Sequence, residues 1–396
     1  MDDLEAAAQK RLGATVDGWR LDSVLGVGGM ASVFLARRDG AIAALKLLHG
    51  PLNAVEEVKK RFLREGSIGA TLSAGADVPG LPRMYGSGVA SDGTAYLIME
   101  LLEGESLWDR MIREPRMRPD EVLAIAEQVL DVLVLAHAHG VVHRDMKPEN
   151  LHVMNDGSIR VLDFGIARVL DAVPHGIEGL PEMTATKTGV TIGTTEYMSP
   201  EQATGIVKDI DGRTDLFGLG ATMFRLLSGR VPHGQLGLAE AIIAAATRQI
   251  APLASVSPEV PPDVCAVVDR AVAFEKTQRY PDAETMRGDV RALRKGAPPP
   301  YVRAVIGGRL DAGAPSSVAR AAGPVDPTVA YAPPSRTVYD PPPHPVRPKG
   351  PGLTPGARLA IIIGAAGLVA GVGIGVVARG CSSRPAPAPR AQPRRH

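Results

Sequence analysis

Two short stretches in the middle of the chain contain the side chains best suited to chemistry. The first reads Val-Val-His-Arg-Asp-Met-Lys-Pro-Glu-Asn over residues 141–150, and the second reads Val-Leu-Asp-Phe-Gly over residues 161–165. Asp145 precedes the amide Asn150 by five positions, Lys147 lies between them, and Asp163 comes before a Phe-Gly turn. Metal-assisted phosphoryl transfer needs such a set, because it requires an acid to orient the acceptor, metal-ligating oxygens and a cation.

A glycine-rich turn lies well before these stretches, where residues 25–33 read Leu-Gly-Val-Gly-Gly-Met-Ala-Ser-Val. Backbone amides without side chains around them can close over phosphates. Taken alone, such a segment is more often an ordinary hairpin. Its position gives it weight, because Lys46 follows on the next predicted strand and Glu65, on the helix after that, offers the lysine an anionic partner. The alternative is that Lys46 extends along a strand edge into solvent.

The first part of the chain is predicted to be a small β-rich lobe. Apolar alternation between about Trp19 and Leu48, broken by glycines and by Asp39-Gly40, indicates antiparallel strands with tight turns. A helix is predicted over residues 53–72, and a further hairpin joins residues 85–89 to residues 94–102.

From Pro119 onward the pattern becomes helical. One apolar stripe continues to His139-Gly140, where a helix is expected to end. Further helices are predicted over residues 215–227, 238–249, 262–274 and 281–294.

Length and composition set the outer bounds. With 396 residues and 45% hydrophobic content, the chain can bury a large core. A net charge of +1 argues against nucleic acid as a partner. Two cysteines in unrelated contexts cannot form a disulfide framework or a four-ligand zinc site.

The C-terminal part is predicted to be a linker, a membrane span and a short tail. Residues 295–357 are dense in proline and are expected to be disordered. Residues 359–378 contain no charge, so residues 358–379 are predicted to be one transmembrane helix, followed by a Pro/Arg-rich tail over residues 380–396. Residues 1–18, an N-terminal extension, show no signal-peptide pattern.

These motifs, taken in order, resemble those of the eukaryotic-type (Hanks-type) serine/threonine protein kinases, of the membrane-anchored kind found in bacteria. The resemblance covers residues 19–294, the predicted kinase domain. It rests on the glycine-rich loop, Lys46, Glu65, His143-Arg144-Asp145, Asn150, Asp163-Phe164-Gly165 and Ser199-Pro200-Glu201. It implies an α+β, two-lobed protein-kinase fold with a β-rich N-lobe and a larger helical C-lobe.

The resemblance also implies a nucleotide site and a catalytic site. Asp145, Lys147, Lys46 and Glu65 would be catalytic, and Asn150 and Asp163 would hold Mg²⁺, with Mn²⁺ as the alternative ion. ATP would be bound by Leu25, Gly26, Val27, Gly28, Gly29, Met30, Ala31, Ser32, Val33, Ala44, Lys46, Met99, Glu100, Leu102 and His152. Val33 and Ala44 would form the roof over the adenine, and residues 100–102 the hinge beside it.

A regulatory segment and three scaffold residues follow from the same resemblance. Autophosphorylation of threonines would order the loop after Gly165 against Arg144; the candidates are Thr184, Thr186, Thr188 and Thr191. Thr194 matches the position that discriminates the acceptor residue. Glu201 and Arg279 would form a buried ion pair, and Asp215 would brace the catalytic loop.

The chain departs from the family pattern at three positions. Ala31 replaces the third glycine of the loop, and His152 replaces the aliphatic residue that normally lies under the adenine, where it would stack as a neutral ring. Gly218 stands where serine or tryptophan is more familiar, a change expected to affect packing rather than chemistry.

The sequence therefore predicts transfer of the ATP γ-phosphate to serine and threonine hydroxyls of protein substrates. The alternatives are a pseudokinase scaffold that binds nucleotide without turnover and a small-molecule phosphotransferase of the same fold. Every catalytic position holds a competent residue, which argues against the first, and Lys147 with Ser199-Pro200-Glu201 argues against the second.

A single-pass protein of the cytoplasmic membrane is expected, with the kinase domain cytoplasmic. Five arginines follow the apolar segment and favour an internal tail, whereas the kinase domain needs cytosolic ATP; a hairpin-like or surface-lying segment would satisfy both. A homodimer through the kinase domain or through the ridge of Gly367, Gly371 and Gly375 stays an open alternative.

Overall fold

The computed structural model of the chain describes residues 2–72, 78–164 and 195–309. These residues form two lobes joined at residues 100–103, one built on an antiparallel sheet and the other mainly on helices. The two-lobed α+β fold predicted from the sequence is therefore confirmed.

The first lobe is built on a six-stranded sheet among the described residues, in the order β1-β2-β3-β4-β6-β5. Its strands are β1 Thr15–Val16, β2 Trp19–Val27, β3 Ala31–Arg38, β4 Ala41–Leu48, β5 Met84–Val89 and β6 Ala95–Met99. Asp39 and Gly40 both have positive φ, 49° and 84°, which is the backbone twist that a two-residue hairpin between β3 and β4 needs. The predicted turn is therefore the real one.

Each face of this sheet is covered. Helix α1 (Asp2–Gln9) contributes Ala8 to a cluster with Trp19, Leu21 and Phe34 on one face. Helices α2 (Gly50–Asn53) and α3 (Glu56–Leu72) cover the other, where Leu52, Val58 and Phe62 pack with residues of the sheet. The helix predicted over residues 53–72 corresponds to α3, which begins three residues later; the short helix α2 before it, which starts at the Gly50-Pro51 step, was not predicted.

A small sheet and two helices begin the second lobe. Strands β7 (Gly104–Ser106), β8 (Leu151–Met154) and β9 (Ile159–Val161) pair in that order, and helices α4 (Leu107–Arg113) and α5 (Pro119–Ala138) follow β7. Gly104 has a φ of 157°, and a Cβ there would lie 2.0 Å from the Val153 carbonyl oxygen, so only glycine allows β7 to approach β8.

The remaining helices close around one large core. They are α6 Pro200–Ala203, α7 Gly212–Ser228, α8 Leu238–Thr247, α9 Leu253–Val256, α10 Pro262–Ala271 and α11 Ala283–Arg294. Helix α7 is buried along most of its length, and α5, α10 and α11 pack with it in that core. Four of these helices match the predicted ones, with ends that differ by at most three residues.

The folded lobe extends past the boundary predicted at Arg294. Helix α12 (Pro300–Ile306) lies within the stretch assigned to a disordered linker, and its Tyr301 and Val302 are buried in the main core. The buried carboxylate of Asp289 accepts hydrogen bonds from the backbone N–H groups of Tyr301 (2.7 Å) and Val302 (3.0 Å) and from the Tyr280 hydroxyl (2.9 Å). One side chain on α11 thus fixes the start of α12.

No helix within the described ranges combines the length and apolar character needed to cross a bilayer. The segment predicted to do so, residues 358–379, lies outside those ranges, as do the tail and the linker beyond residue 309.

Candidate active site

The catalytic loop is held from below by helix α7. The buried carboxylate of Asp215 accepts hydrogen bonds from the backbone N–H of His143 (2.8 Å) and of Arg144 (2.7 Å), and from the His137 ring (2.8 Å). Arg144 has a φ of 70°, a strained backbone conformation for a side chain of its size. The predicted bracing role of Asp215 agrees with these contacts, because they fix the loop in that conformation.

His143 ties the catalytic loop to the strand that carries Asp163. Its Nδ1 accepts the N–H of Asp145 (3.2 Å), so Nε2 carries the hydrogen and donates to the carbonyl of Leu162 (2.7 Å). The ring also meets that of Phe164 edge-on, with centroids 4.6 Å apart. The two stretches separated in sequence therefore form one unit.

The predicted catalytic residues of the loop lie together. One oxygen of Asp145 lies 2.9 Å from Lys147 Nζ and 3.0 Å from Asn150 Nδ2, and that amide also donates to the Asp145 carbonyl (2.6 Å). Burial lowers the pKa of Lys147, but the charges of Asp145 and Glu149 outweigh it and raise that pKa. The lysine is thus a fixed cation beside the acid.

Lys46 reaches this unit from the other lobe. Its Nζ lies 2.6 Å from Oδ1 of Asp163, and both side chains are largely buried. Glu65, its predicted partner, lies in α3, and its side chain is outside the described part of the chain. The structure therefore brings Lys46 to Asp163, while the Lys46–Glu65 pair stays a prediction.

The two residues predicted to hold a metal each present an unused oxygen. Oδ1 of Asn150 and Oδ2 of Asp163 are buried without a hydrogen-bond partner, although each residue's other polar atom is engaged. Among the described residues, no group of three or more His, Cys, Asp or Glu side chains is arranged to hold a metal ion by itself. Two protein oxygens suit Mg²⁺, which completes its shell with phosphate and water oxygens.

The glycine-rich loop and the roof of the predicted nucleotide pocket lie on adjoining strands. The turn lies between β2 and β3, where Val27 pairs with Ser32, and Ala44 of β4 lies opposite Met99 in the register. Ala31 lies within β3, is buried and pairs with Leu48, so the missing third glycine is accommodated. Leu25, Gly26, Gly28, Gly29 and Met30 complete the loop, and Met30 packs inward rather than over the pocket.

One backbone group of the predicted hinge is already bonded within the protein. The N–H of Glu100 donates to the carbonyl of Arg83 (2.8 Å), and its carboxylate accepts the Arg83 N–H (3.1 Å). Only the carbonyl oxygen of Glu100 can therefore serve a base, together with backbone groups near Leu102.

His152, which replaces an aliphatic residue of the family pattern and is predicted to lie under the adenine, lies in β8 opposite Ser106. It is 0% exposed, and both ring nitrogens are buried without a partner. Burial lowers the pKa of His152 to about 4, so the ring is neutral at pH 7.

Glu149 is a feature of the site that the sequence reading missed. It is only 8% exposed, and its Oε2 is buried without a partner. Burial raises the pKa of Glu149 to about 7, against the opposing effect of Lys147. Nothing in the Lys-Pro-Glu-Asn order itself signals that the glutamate points inward.

The segment after the catalytic residues is anchored by an ion pair. Arg279 donates to both oxygens of Glu201 (2.7 and 2.8 Å), and Thr214 donates to one of them (2.8 Å). Burial raises the pKa of Glu201, but the bonds and charge of Arg279 outweigh it and lower that pKa. Next to Glu201, Gln202 donates to the Arg144 carbonyl (2.6 Å), so residues 199–203 form a shelf attached to the catalytic loop.

Several predicted residues fall outside the described part of the chain. These are Gly165, the four candidate phosphorylation sites Thr184, Thr186, Thr188 and Thr191, and Thr194. Arg144, their predicted partner, is half-buried beside the shelf.

Comparison with known sequences decides the family. Residues 19–287, more than half of the chain, match the sequence profile of the protein kinase domain. The chain belongs to the protein kinase family. Its relatives include serine/threonine-protein kinase Pkn1 of Myxococcus xanthus, which is 33% identical over 386 residues, covering 87% of this chain and 53% of Pkn1.

Two further relatives match the kinase domain. Serine/threonine-protein kinase PknA of Mycobacterium tuberculosis is 32% identical over 297 residues, covering 73% of this chain and 64% of PknA. PknB of Mycolicibacterium smegmatis is 31% identical over 292 residues, covering 72% of this chain and 44% of PknB. The family assignment as a bacterial Hanks-type serine/threonine kinase is thus confirmed, while the chain spans about half the length of these relatives.

Gly218 packs directly against the catalytic loop of the kinase domain, so the packing effect expected at this position reaches the predicted catalytic residues. A Cβ at this position would lie 2.7 Å from the carbonyl oxygen of Met146 and 3.0 Å from its Cβ. Met146 lies between Asp145 and Lys147, so α7 approaches the catalytic residues as closely as a glycine permits.

Gly218→Ala is therefore expected to lower kcat by roughly tenfold or more, because the loop must move and small misplacements of reacting groups are costly. The KM for ATP should change little. Gly288→Ala is the matched control, since Gly288 also lies in a helix but a Cβ there meets nothing within 4 Å. Equal kcat values for the two variants would contradict this role for Gly218.

Glu149→Gln is expected to stabilise the protein in a pH-dependent way. Glu149 is protonated in both states below its unfolded pKa of 4.5, and folding keeps the proton up to about pH 7. Stability is therefore lost as pH rises between these values, by roughly 3 kcal/mol. The variant's gain in unfolding free energy should be near zero at pH 4.5 and largest at pH 8, measured by urea denaturation. Glu275→Gln, at an exposed position, is the control; a gain independent of pH would refute the assignment.

Proposed function

We propose that the chain transfers the γ-phosphate of ATP to serine and threonine hydroxyls of proteins. The observation that carries the proposal is the convergence of Asp145, Lys147 and Asn150 with Asp163, which Lys46 meets at 2.6 Å. Phosphoryl transfer depends mainly on alignment and charge placement, and these residues supply both.

Each residue has a distinct part in this proposal. Asp145 accepts the proton of the substrate hydroxyl, Lys147 steadies the transferring group, and Lys46 holds the nucleotide phosphates. Asn150 and Asp163 would hold Mg²⁺, which when bound neutralises charge on the phosphates. Protein kinases as a family use ATP and a divalent metal; the choice of Mg²⁺ is part of this proposal.

A polypeptide acceptor is favoured over a small molecule by the shelf of residues 199–203. The Glu201–Arg279 pair and the Gln202–Arg144 bond fix this shelf against the loop that carries Asp145. Such rigid anchoring suits a surface on which an extended segment of another protein lies next to the catalytic acid.

The proposal includes autophosphorylation on one or more threonines among residues 184–191. Arg144 supports it, because a half-buried guanidinium next to the catalytic acid is well placed to bind a phosphate on the neighbouring segment.

Incubation with Mg²⁺ and radiolabelled ATP should therefore label a panel of serine- and threonine-containing peptides and the chain itself. Asp145→Asn should reduce the rate by about three orders of magnitude or more while leaving ATP binding intact, since the acid acts on the hydroxyl rather than on the nucleotide. Mass spectrometry should locate the label on the loop threonines. ATP binding without transfer by the wild type would instead establish the pseudokinase alternative. Label found only on small molecules would establish a small-molecule phosphotransferase.

We infer that the kinase domain is tethered to the cytoplasmic membrane, facing the cytoplasm. The support is the uncharged stretch of residues 359–378 after a proline-rich linker. Its ridge of Gly367, Gly371 and Gly375 would allow two such helices to pack, so self-association is part of the same proposal.

Two arginines within this stretch should release the protein, because each costs about 3 kcal/mol at the centre of a span. In fractionated bacterial cells, the wild type should sediment with membranes and resist alkaline extraction, whereas Leu368→Arg with Val372→Arg should not. The same change at Val329 and Val338 in the linker is the control. A wild type found entirely in the soluble fraction would overturn the proposal.

A further inference from the structure

The tip of the glycine-rich loop, residues 28–32, is attached to the segment that follows β4. His49 comes directly after this strand and has the extended backbone of a helix N-cap, yet its side chain does not cap α2. Instead, Nε2 of His49 lies 2.9 Å from Oγ of Ser32. A side chain in a capping position is thus used for a contact with the loop.

A backbone bond reinforces this attachment. The N–H of His49 donates to the carbonyl of Met30 (2.9 Å), so main chain and side chain of one residue bind two positions of the loop. His49 and Ser32 are 9% and 4% exposed. Burial lowers the pKa of His49, and the carbonyl of Gly29 raises it by less, so the ring is neutral near pH 7.

Apolar packing holds the same tip from below. Met30 is 8% exposed and belongs to the cluster that contains Leu52 of α2 together with Val58 and Phe62 of α3. Nζ of Lys46, which is predicted to meet the nucleotide phosphates, lies 6.0 Å from the centroid of the Phe62 ring, so this apolar cluster lies beside the predicted phosphate site.

We propose that His49 is a positioning residue for nucleotide binding, which holds the glycine-rich loop over the phosphates through Ser32 and the Met30 carbonyl. This inference rests on the proposed function. A loop containing Gly28 and Gly29 has much conformational freedom to lose, and a loop ordered in advance loses less of it when a nucleotide binds. We call the His49–Ser32 contact the latch.

The latch predicts a selective loss of nucleotide affinity when either partner is removed. His49→Leu and Ser32→Ala should each weaken binding of a Mg²⁺-bound, non-hydrolysable ATP analogue by about five- to tenfold, the effect of one hydrogen bond. The double variant should be no weaker than the weaker single variant, because both remove the same contact. His49→Gln should restore affinity to within about twofold, because its amide can reach the Ser32 hydroxyl.

Calorimetric titration of the full chain measures these affinities. Steady-state assays of the His49 variants, with the Asp145→Asn chain as acceptor, should show the same change in the KM for ATP, while kcat and the KM for the acceptor stay within about twofold. The matched controls are His139→Leu, at an exposed histidine, and Ser257→Ala, at a buried serine of the other lobe. Both should bind nucleotide as the wild type does.

Four outcomes would overturn the latch. If the wild type binds nucleotide and the variants bind it equally tightly, the latch is refuted and the proposed function is not; the same holds if the two single effects multiply in the double variant. A parallel fall in kcat, affinity and melting temperature, unrescued by His49→Gln, would show a purely structural role. A wild type that binds no nucleotide would overturn the proposed function and the latch with it.

Discussion

The carboxylate of Asp215 is the interaction on which the catalytic site depends. It accepts two consecutive backbone N–H groups, of His143 and Arg144, and a third bond from the His137 ring, all within 2.8 Å. A buried carboxylate is stable only with such partners, and a backbone with a positive φ at Arg144 persists only when its surroundings hold it. The backbone N–H groups stabilise the Asp215 carboxylate, and the carboxylate in turn holds the backbone of Arg144 in its positive φ. Asp145 directly follows Arg144, so the same bonds help to fix its orientation.

Helix α7 can hold the loop so closely because it lacks side chains where other elements touch it. A Cβ at Gly212 would meet the His137 ring at 2.7 Å, one at Gly218 would meet the Met146 carbonyl, and one at Gly220 would meet Ala271 at 2.6 Å. Three different elements therefore approach the backbone of one helix. Glycine lowers helix propensity, but the burial of α7 in the core of the lobe supplies stability that propensity does not.

Much of the fold and of the site could be predicted from the sequence, because the motifs are local and their order is specific. The two lobes, most helices and strands, the cluster around Asp145 and the Glu201–Arg279 pair were all predictable. What could not be predicted depends on contacts between residues distant in sequence. The docking of α12 on Asp289, the burial of Glu149 and the inward packing of Met30 leave no periodic signal. The sequence shows that Gly218 differs from the family pattern, but the close approach of Met146 to this position is seen only in the structure.

The ionisable groups of the site compensate one another in an environment of low dielectric. Lys147 faces Asp145 and lies near Glu149, and Lys46 faces Asp163, so each buried cation has a carboxylate beside it. Burial raises the pKa of Glu149 to about 7, against the opposing charge of Lys147. Two oxygens, Oδ1 of Asn150 and Oδ2 of Asp163, are buried in this site without a hydrogen-bond partner. An unpaired buried acceptor costs about 1–3 kcal/mol. Binding of the proposed divalent cation there would offset that cost, because the cation would take both oxygens as ligands.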